Sequence, residues 1–172
     1  ILEGLNQNLW VLTQEGLHYF DINTKSFVHK KSKNIDLKKI TGQMKSTLFF
    51  DRKKNLWIGH QAGIYYYDIK KNLLINYNHD PDNKNSNMSN HIISGMEDSN
   101  GYLWIGTDKG ISCFDPYSTI PSFRHYLHQD EDINSLSKGQ VMEIFEDNQK
   151  NIWVSTQRGL NLYNGQSDSF LH

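Results

Sequence analysis

The chain has 172 residues, 37% of them hydrophobic, and a formal net charge of −1 from 18 basic and 19 acidic side chains. That length allows one domain with a sizeable core, and the interspersed charge excludes a nucleic-acid footprint or a polybasic membrane patch. One cysteine, Cys113, excludes an internal disulfide and a cysteine zinc cluster, and no run approaches the roughly 18 apolar residues of a membrane helix.

The chain begins with a short apolar pattern, Ile1-Leu2-Glu3, followed by Asn8-Leu9-Trp10, a turn closing on Gly16 and a third apolar run ending at Asp21. The same text returns at Asn55-Leu56-Trp57-Ile58-Gly59 through to Asp68, at Tyr102-Leu103-Trp104 through to Asp115, and at Asn151-Ile152-Trp153 through to Asn164. The tryptophans fall at 10, 57, 104 and 153, in steps of 47, 47 and 49. Lys30, Tyr77 and Tyr126 each stand 27 residues before the next tryptophan, so the longer step arises before them. It falls in Pro116-Tyr117-Ser118-Thr119-Ile120-Pro121, a turn between strands. A register kept everywhere except in one turn is the mark of stacked supersecondary units.

Each repeat divides into four short strands. The inner strand is read at 46–50, 91–97 and 140–146, and its turn is rich in Asp, Asn and Gly, as in Asp98-Ser99-Asn100-Gly101. The second strand, Leu-Trp-Ile-Gly or a variant, has adjacent rather than alternating apolar residues, which predicts burial on both faces. The third strand alternates and closes on Asp or Asn. The fourth is short: 27–29, 74–77, 123–126 and 170–172. Helical periodicity is absent except for a weak pattern at 35–40. The fold class is all-β: four four-stranded antiparallel blades of a β-propeller, at about 1–30, 43–77, 90–126 and 139–172, within one fragment spanning 1–172.

Gly16, Gly63, Gly110 and Gly159 recur at one phase and read as hairpin positions needing positive φ. Trp10, Trp57, Trp104 and Trp153 read as wedges between neighbouring blades, each contributing on the order of a few kcal/mol on burial. Ile1-Leu2-Glu3 aligns with Ile144-Phe145-Glu146, so the chain is expected to start inside an inner strand and to be cut from a longer array. Such a segment either closes as a four-bladed ring or pairs with a second copy to cover its apolar end faces.

The pattern is not that of WD40 or Kelch repeats, and the Asp-box of sialidases differs from Asp98-Ser99-Asn100-Gly101-Tyr102-Leu103-Trp104 in its Asp-to-Gly spacing. The run from Glu97-Asp98 through Leu103-Trp104-Ile105-Gly106 to Phe114-Asp115-Pro116 resembles the two-component regulator propeller repeat. So do Asn134-Ser135-Leu136-Ser137, Glu146-Asp147 and Ile152-Trp153-Val154. The third repeat is most similar; the second departs at Phe50, where Glu97 and Glu146 stand elsewhere, and the first at Gly4. This resemblance implies the periplasmic sensor region of Bacteroides-type hybrid two-component histidine kinases. It implies oligosaccharide recognition without catalysis, with further blades and C-terminal domains of the same protein as partners; a homodimer is expected from the apolar end faces instead.

Ligand residues are expected on the rim formed by the loops between second and third strands and between blades. The candidates are Gln14, His60, Gln61, Asp108, Lys109, Gln157 and Arg158, with His91 from an inter-blade loop. No cofactor and no metal are expected: Asp130-Glu131-Asp132 and Asp80/Asp82 lack a calcium-loop spacing, and His29, His79, His125 and His128 lack a zinc spacing. A glycosidase would need two carboxylates across a substrate. Glu97, Glu143 and Glu146 lie near inner strands, but Glu97 and Glu146 repeat at one phase, which suggests a structural role. Lys30-Lys31-Ser32-Lys33 reads as a solvated loop, and neither nucleic acid nor membrane contact is expected.

Overall fold

The computed structural model describes residues 1–28, 30, 32, 33, 37, 40 and 46–172. Lys31 of the basic run, most of the weak helical pattern at 35–40 and His29 fall outside these residues. The described residues form sixteen strands in four four-stranded antiparallel sheets. The first holds β1 (Leu2–Glu3), β2 (Leu9–Thr13), β3 (Gly16–Asp21) and β4 (Ser26–Val28). The second holds β5 (Thr47–Phe50), β6 (Leu56–His60), β7 (Gly63–Asp68) and β8 (Leu73–Tyr77). The third holds β9 (Ile92–Glu97), β10 (Leu103–Thr107), β11 (Ile111–Phe114) and β12 (Arg124–Tyr126). The fourth holds β13 (Val141–Glu146), β14 (Ile152–Thr156), β15 (Leu160–Asn164) and β16 (Ser169–Leu171). Each sheet is an up-and-down meander in chain order, the blade of a β-propeller.

Three hydrophobic clusters join successive sheets, and each is built the same way. Trp10 of the first sheet packs with Leu56, Ile58, Tyr67 and Leu74 of the second. Trp57 packs with Leu103, Ile105 and Phe114 of the third, and Trp104 with Ile152, Val154 and Phe170 of the fourth. One face of each second strand thus carries the tryptophan forward while the other receives the preceding blade. This is why Leu56, Trp57 and Ile58, and likewise Leu103, Trp104 and Ile105, are all buried in immediate succession. In β14 burial alternates instead, with Ile152 and Val154 buried and Trp153 only half-buried. No described cluster contains residues of both the first and the fourth sheet. The described residues therefore make an arc of three joints, not the closed four-bladed ring considered from the sequence.

Glycine in the second strand is set by this packing. A Cβ on Gly59 would lie 2.5 Å from Ile92 Cγ2, and one on Gly106 would lie 2.6 Å from Val141 Cγ1, each on the next blade. The hairpin glycines behave as expected at Gly16, Gly63 and Gly110, with φ of 124°, 106° and 147°. Gly159 does not share that conformation; there a Cβ would come within 2.8 Å of Ser137 Oγ, so close approach replaces backbone handedness as the constraint.

Candidate functional site

The connections between β2 and β3, β6 and β7, β10 and β11, and β14 and β15 lie on the same rim as the inter-blade loops, because each sheet is a four-strand meander. Four of the eight side chains expected to bind ligand there, those of His60, His91, Asp108 and Gln157, are tied into this rim. Asp108 Oδ1 accepts from Ser89 Oγ at 2.6 Å, and its other oxygen lies 3.8 Å from His91 Nδ1. Gln157 donates its backbone N–H to Gln140 O, and its side-chain oxygen accepts from Gln140 N. His60 Nδ1 accepts from Ala62 N at 3.0 Å. Lys109 and Arg158 donate their backbone N–H groups to Thr107 Oγ1 and Thr156 Oγ1, both at 3.1 Å, and so close two matching hairpins. Gln61 is exposed in its turn. Gln14 flanks a shallow depression with Val11, His18 and Phe27, and Arg158 another with His128, Asp130 and His172. The eight residues are distributed over all four blades and do not converge on one cavity. The acidic loop is similarly occupied: Asp130 meets His128 Nε2 at 3.0 Å and Lys138 Nζ at 3.6 Å, and Asp132 Oδ1 accepts from Asn134 N.

The opposite rim carries a motif that the strand pattern does not reveal. After the inner strands of the second, third and fourth sheets an aspartate six residues before the tryptophan accepts the indole N–H. Asp51 Oδ2 receives it from Trp57 at 3.3 Å, Asp98 Oδ2 from Trp104 at 2.9 Å, and Asp147 Oδ2 from Trp153 at 2.9 Å. The second oxygen accepts the backbone N–H four residues on, from Asn55, Tyr102 or Asn151. Indole donation first, then the Asn151 side chain, holds the Asp147 carboxyl down at about 2. The glutamate before the aspartate reaches back to the preceding blade. Glu97 accepts from Arg52 N and pairs with Arg52 Nε at 3.2 Å, and Glu146 accepts from Ser99 N and Ser99 Oγ at 3.0 and 2.6 Å. The second and third joints are therefore each sealed by two carboxylates, Asp51 with Glu97 and Asp98 with Glu146.

The first joint has neither. Gly4 occupies the aspartate position, as its N–H bond to Asn8 O matches those from Asp51, Asp98 and Asp147 to their own turns. Phe50 occupies the glutamate position. In their place lies a cavity of about 350 Å³ lined by Glu3, Gly4, Trp10, Tyr19, Lys30, Phe50, Lys54, Tyr67, Ile69 and Asn72. Trp10 stands edge-on to Tyr19, with centroids 4.9 Å apart, and to Tyr67 at 6.0 Å. Lys30 Nζ sits 4.4 Å from the Tyr19 ring centroid. Tyr67 OH donates to Asn72 Oδ1 at 2.6 Å, and burial raises its pKa. None of the eight rim residues expected from the sequence lines this cavity. The available signal was the pair of departures at Gly4 and Phe50, which only the stagger between blades brings together.

Residues 88–109 and 135–158 match the two component regulator propeller family. These stretches lie in the third and fourth blades and take in Trp104 and Trp153. The fold recurs in the extracellular domain assigned to the hybrid two component system BT3049 of B. thetaiotaomicron, at 23% identity and a TM-score of 0.76 over 98% of this chain and 22% of that one. It recurs in PorZ, an essential surface component of the type-IX secretion system of Porphyromonas gingivalis, at 17% identity and a TM-score of 0.69 over 98% of this chain and 26% of that one. The extracellular domain assigned to the one component system BT4673 of B. thetaiotaomicron follows, at 15% identity and 0.51, over 94% and 26%. The chain thus spans between 22% and 26% of these three solved chains. No curated protein matches it.

Proposed function

Taking the chain as an array of two component regulator propeller repeats, we propose that it is a non-enzymatic, extracytoplasmic sensor segment that recognises an oligosaccharide. Its occupancy would be relayed to a histidine kinase through further blades and C-terminal domains of the same protein, with a homodimer as the working unit. The observation that carries this proposal is the family match over residues 88–109 and 135–158. The cavity at the first joint supports it, since aromatic faces beside a few polar groups suit a sugar ring. The glycosidase alternative has less support: Glu97 and Glu146 are engaged in holding adjacent blades together.

The test is a glycan array probed in parallel with this chain and with the whole extracytoplasmic region. Selective binding of an oligosaccharide family, without its turnover, supports the sensor. Glycan cleavage that is lost on substitution of Glu97 or Glu143 would replace it with the enzyme. Binding by neither would leave a structural or dimerisation segment.

A further inference from the structure

Resting on the oligosaccharide reading above, we propose that the first joint binds an acidic sugar, a uronate, whose carboxylate takes the place of the missing aspartate beneath Trp10. At the second and third joints a carboxylate accepts the indole N–H inside the blade interface. At the first, Trp10 is only 4% exposed, yet no acceptor among the described residues meets its Nε1. Trp10 Nε1 is not enclosed by protein but opens onto the cavity, so a bound group placed there can supply the acceptor that Asp51 and Asp98 supply at the other joints. Asn8, counterpart of Asn55 and Asn151, lacks the same acceptor: those two amides donate to Asp51 and Asp147, whereas only the Asn8 oxygen is used, by Ile22 N.

The surroundings define the class of ligand. Two basic residues, Lys30 and Lys54, line the cavity against one acidic residue, Glu3, and the Lys30 ammonium lies 4.4 Å from the Tyr19 ring centroid. A charge-assisted bond from indole and ammonium to one carboxylate is stronger than the same contact with a neutral hydroxyl. Trp10, Tyr19, Phe50 and Tyr67 form an aromatic wall for the apolar face of a pyranose, and about 350 Å³ lies within the usual range for small ligands, roughly 300–1,000 Å³.

Gly4→Asp gives a direct test, because it restores the group whose place the ligand takes. Gly4 is outside the left-handed region, and a Cβ there would lie 3.3 Å from Trp10 Nε1. The experiment follows the indole resonances of the ¹⁵N-labelled chain, with Trp10 assigned by Trp10→Phe, while D-glucuronate or D-glucose is added. D-glucuronate is expected to shift the Trp10 indole signal saturably, and D-glucose to leave it in place at the same concentrations. Gly4→Asp is expected to weaken the glucuronate response at least tenfold while raising the melting temperature, so that lost binding is not lost folding. Phe50→Glu, which restores the second carboxylate, is expected to weaken it as well and serves if Gly4→Asp fails to fold. Equal responses to both sugars, no response to glucuronate, or an undiminished response in the variants would overturn the proposal. Array binding that survives Gly4→Asp leaves the sensor function standing and removes this site. A glucuronate response at Trp10 with no array binding keeps the carboxylate site and removes the oligosaccharide function.

Discussion

Removing one carboxylate from a sealed joint is expected to cost several times more than a surface substitution. Asp98 is 6% exposed and accepts three N–H groups, from Asn100, Tyr102 and Trp104, each at 2.9 Å. In Asp98→Ala the Asn100 N–H, on the exposed turn, regains water. The Trp104 indole, 1% exposed, does not, and Tyr102 N–H regains it only in part. One fully buried unsatisfied donor costs about 1–3 kcal/mol, and the lost bonds to a charged acceptor are of similar size, so the variant loses about 3 kcal/mol. Asp98→Asn keeps an oxygen for the backbone donors but turns an amide N–H₂ toward the indole, and is expected to lose about 1–2 kcal/mol. Urea denaturation followed by tryptophan fluorescence reads both. A loss below about 1 kcal/mol in Asp98→Ala, or a larger loss in the asparagine variant, would refute the role given to this carboxylate.

Gly106→Ala places a methyl against Ser94 Oγ and Val141 Cγ1, at the joint between third and fourth blades, and is expected to destabilise the chain by about 1–3 kcal/mol in the same assay. An unchanged urea midpoint would contradict the close approach of β13. Cys113 is fully buried, and that burial pushes its thiol up to about 12 although Arg124 pulls the other way. It is expected to resist Ellman's reagent until the chain unfolds, whereas labelling within seconds under native conditions would contradict the packing of β11. Asp147 is held at about 2 in the folded chain against an ordinary value of 3.8. A depressed carboxyl stabilises the fold above the unfolded value and loses that contribution as pH falls through the folded one. The fourth blade is therefore expected to loosen between about pH 4 and pH 2, and Asp147→Asn is expected to flatten that limb of a thermal-stability profile.

Much of the architecture was legible because it repeats. The phase of Trp10, Trp57, Trp104 and Trp153, with apolar residues on both sides, specifies a strand buried on two faces; β6 and β10 have that form, whereas β2 and β14, in the first and fourth sheets, are only partly buried. What the chain order conceals is the stagger between neighbours. Glu97 reads as part of its own blade's turn, yet its carboxylate serves Arg52 on the preceding one, 45 residues earlier. Gly4 and Phe50 look like two unrelated lapses from the repeat, in different blades, until that stagger makes them the two missing halves of a single seal. Part of the rim serves the scaffold for a related reason. Asp108 and Gln157 have the polar chemistry of a binding loop, but the inter-blade segments beside them use that chemistry to hold the hairpins in place. Gly159 shows the limit of reading by phase alone, since equal spacing in the chain does not ensure equal backbone dihedrals.

Hydrogen exchange at the four indole N–H groups, read one by one by NMR, tests the central claim that tryptophans wedge the joints and carboxylates seal them. The structure predicts slow exchange at Trp57 and Trp104, which are fully enclosed and bonded to Asp51 and Asp98. It predicts faster exchange at half-buried Trp153, and also at Trp10, whose N–H borders the cavity without a carboxylate. Four indoles exchanging at one common rate, or a Trp10 as protected as Trp104, would contradict it.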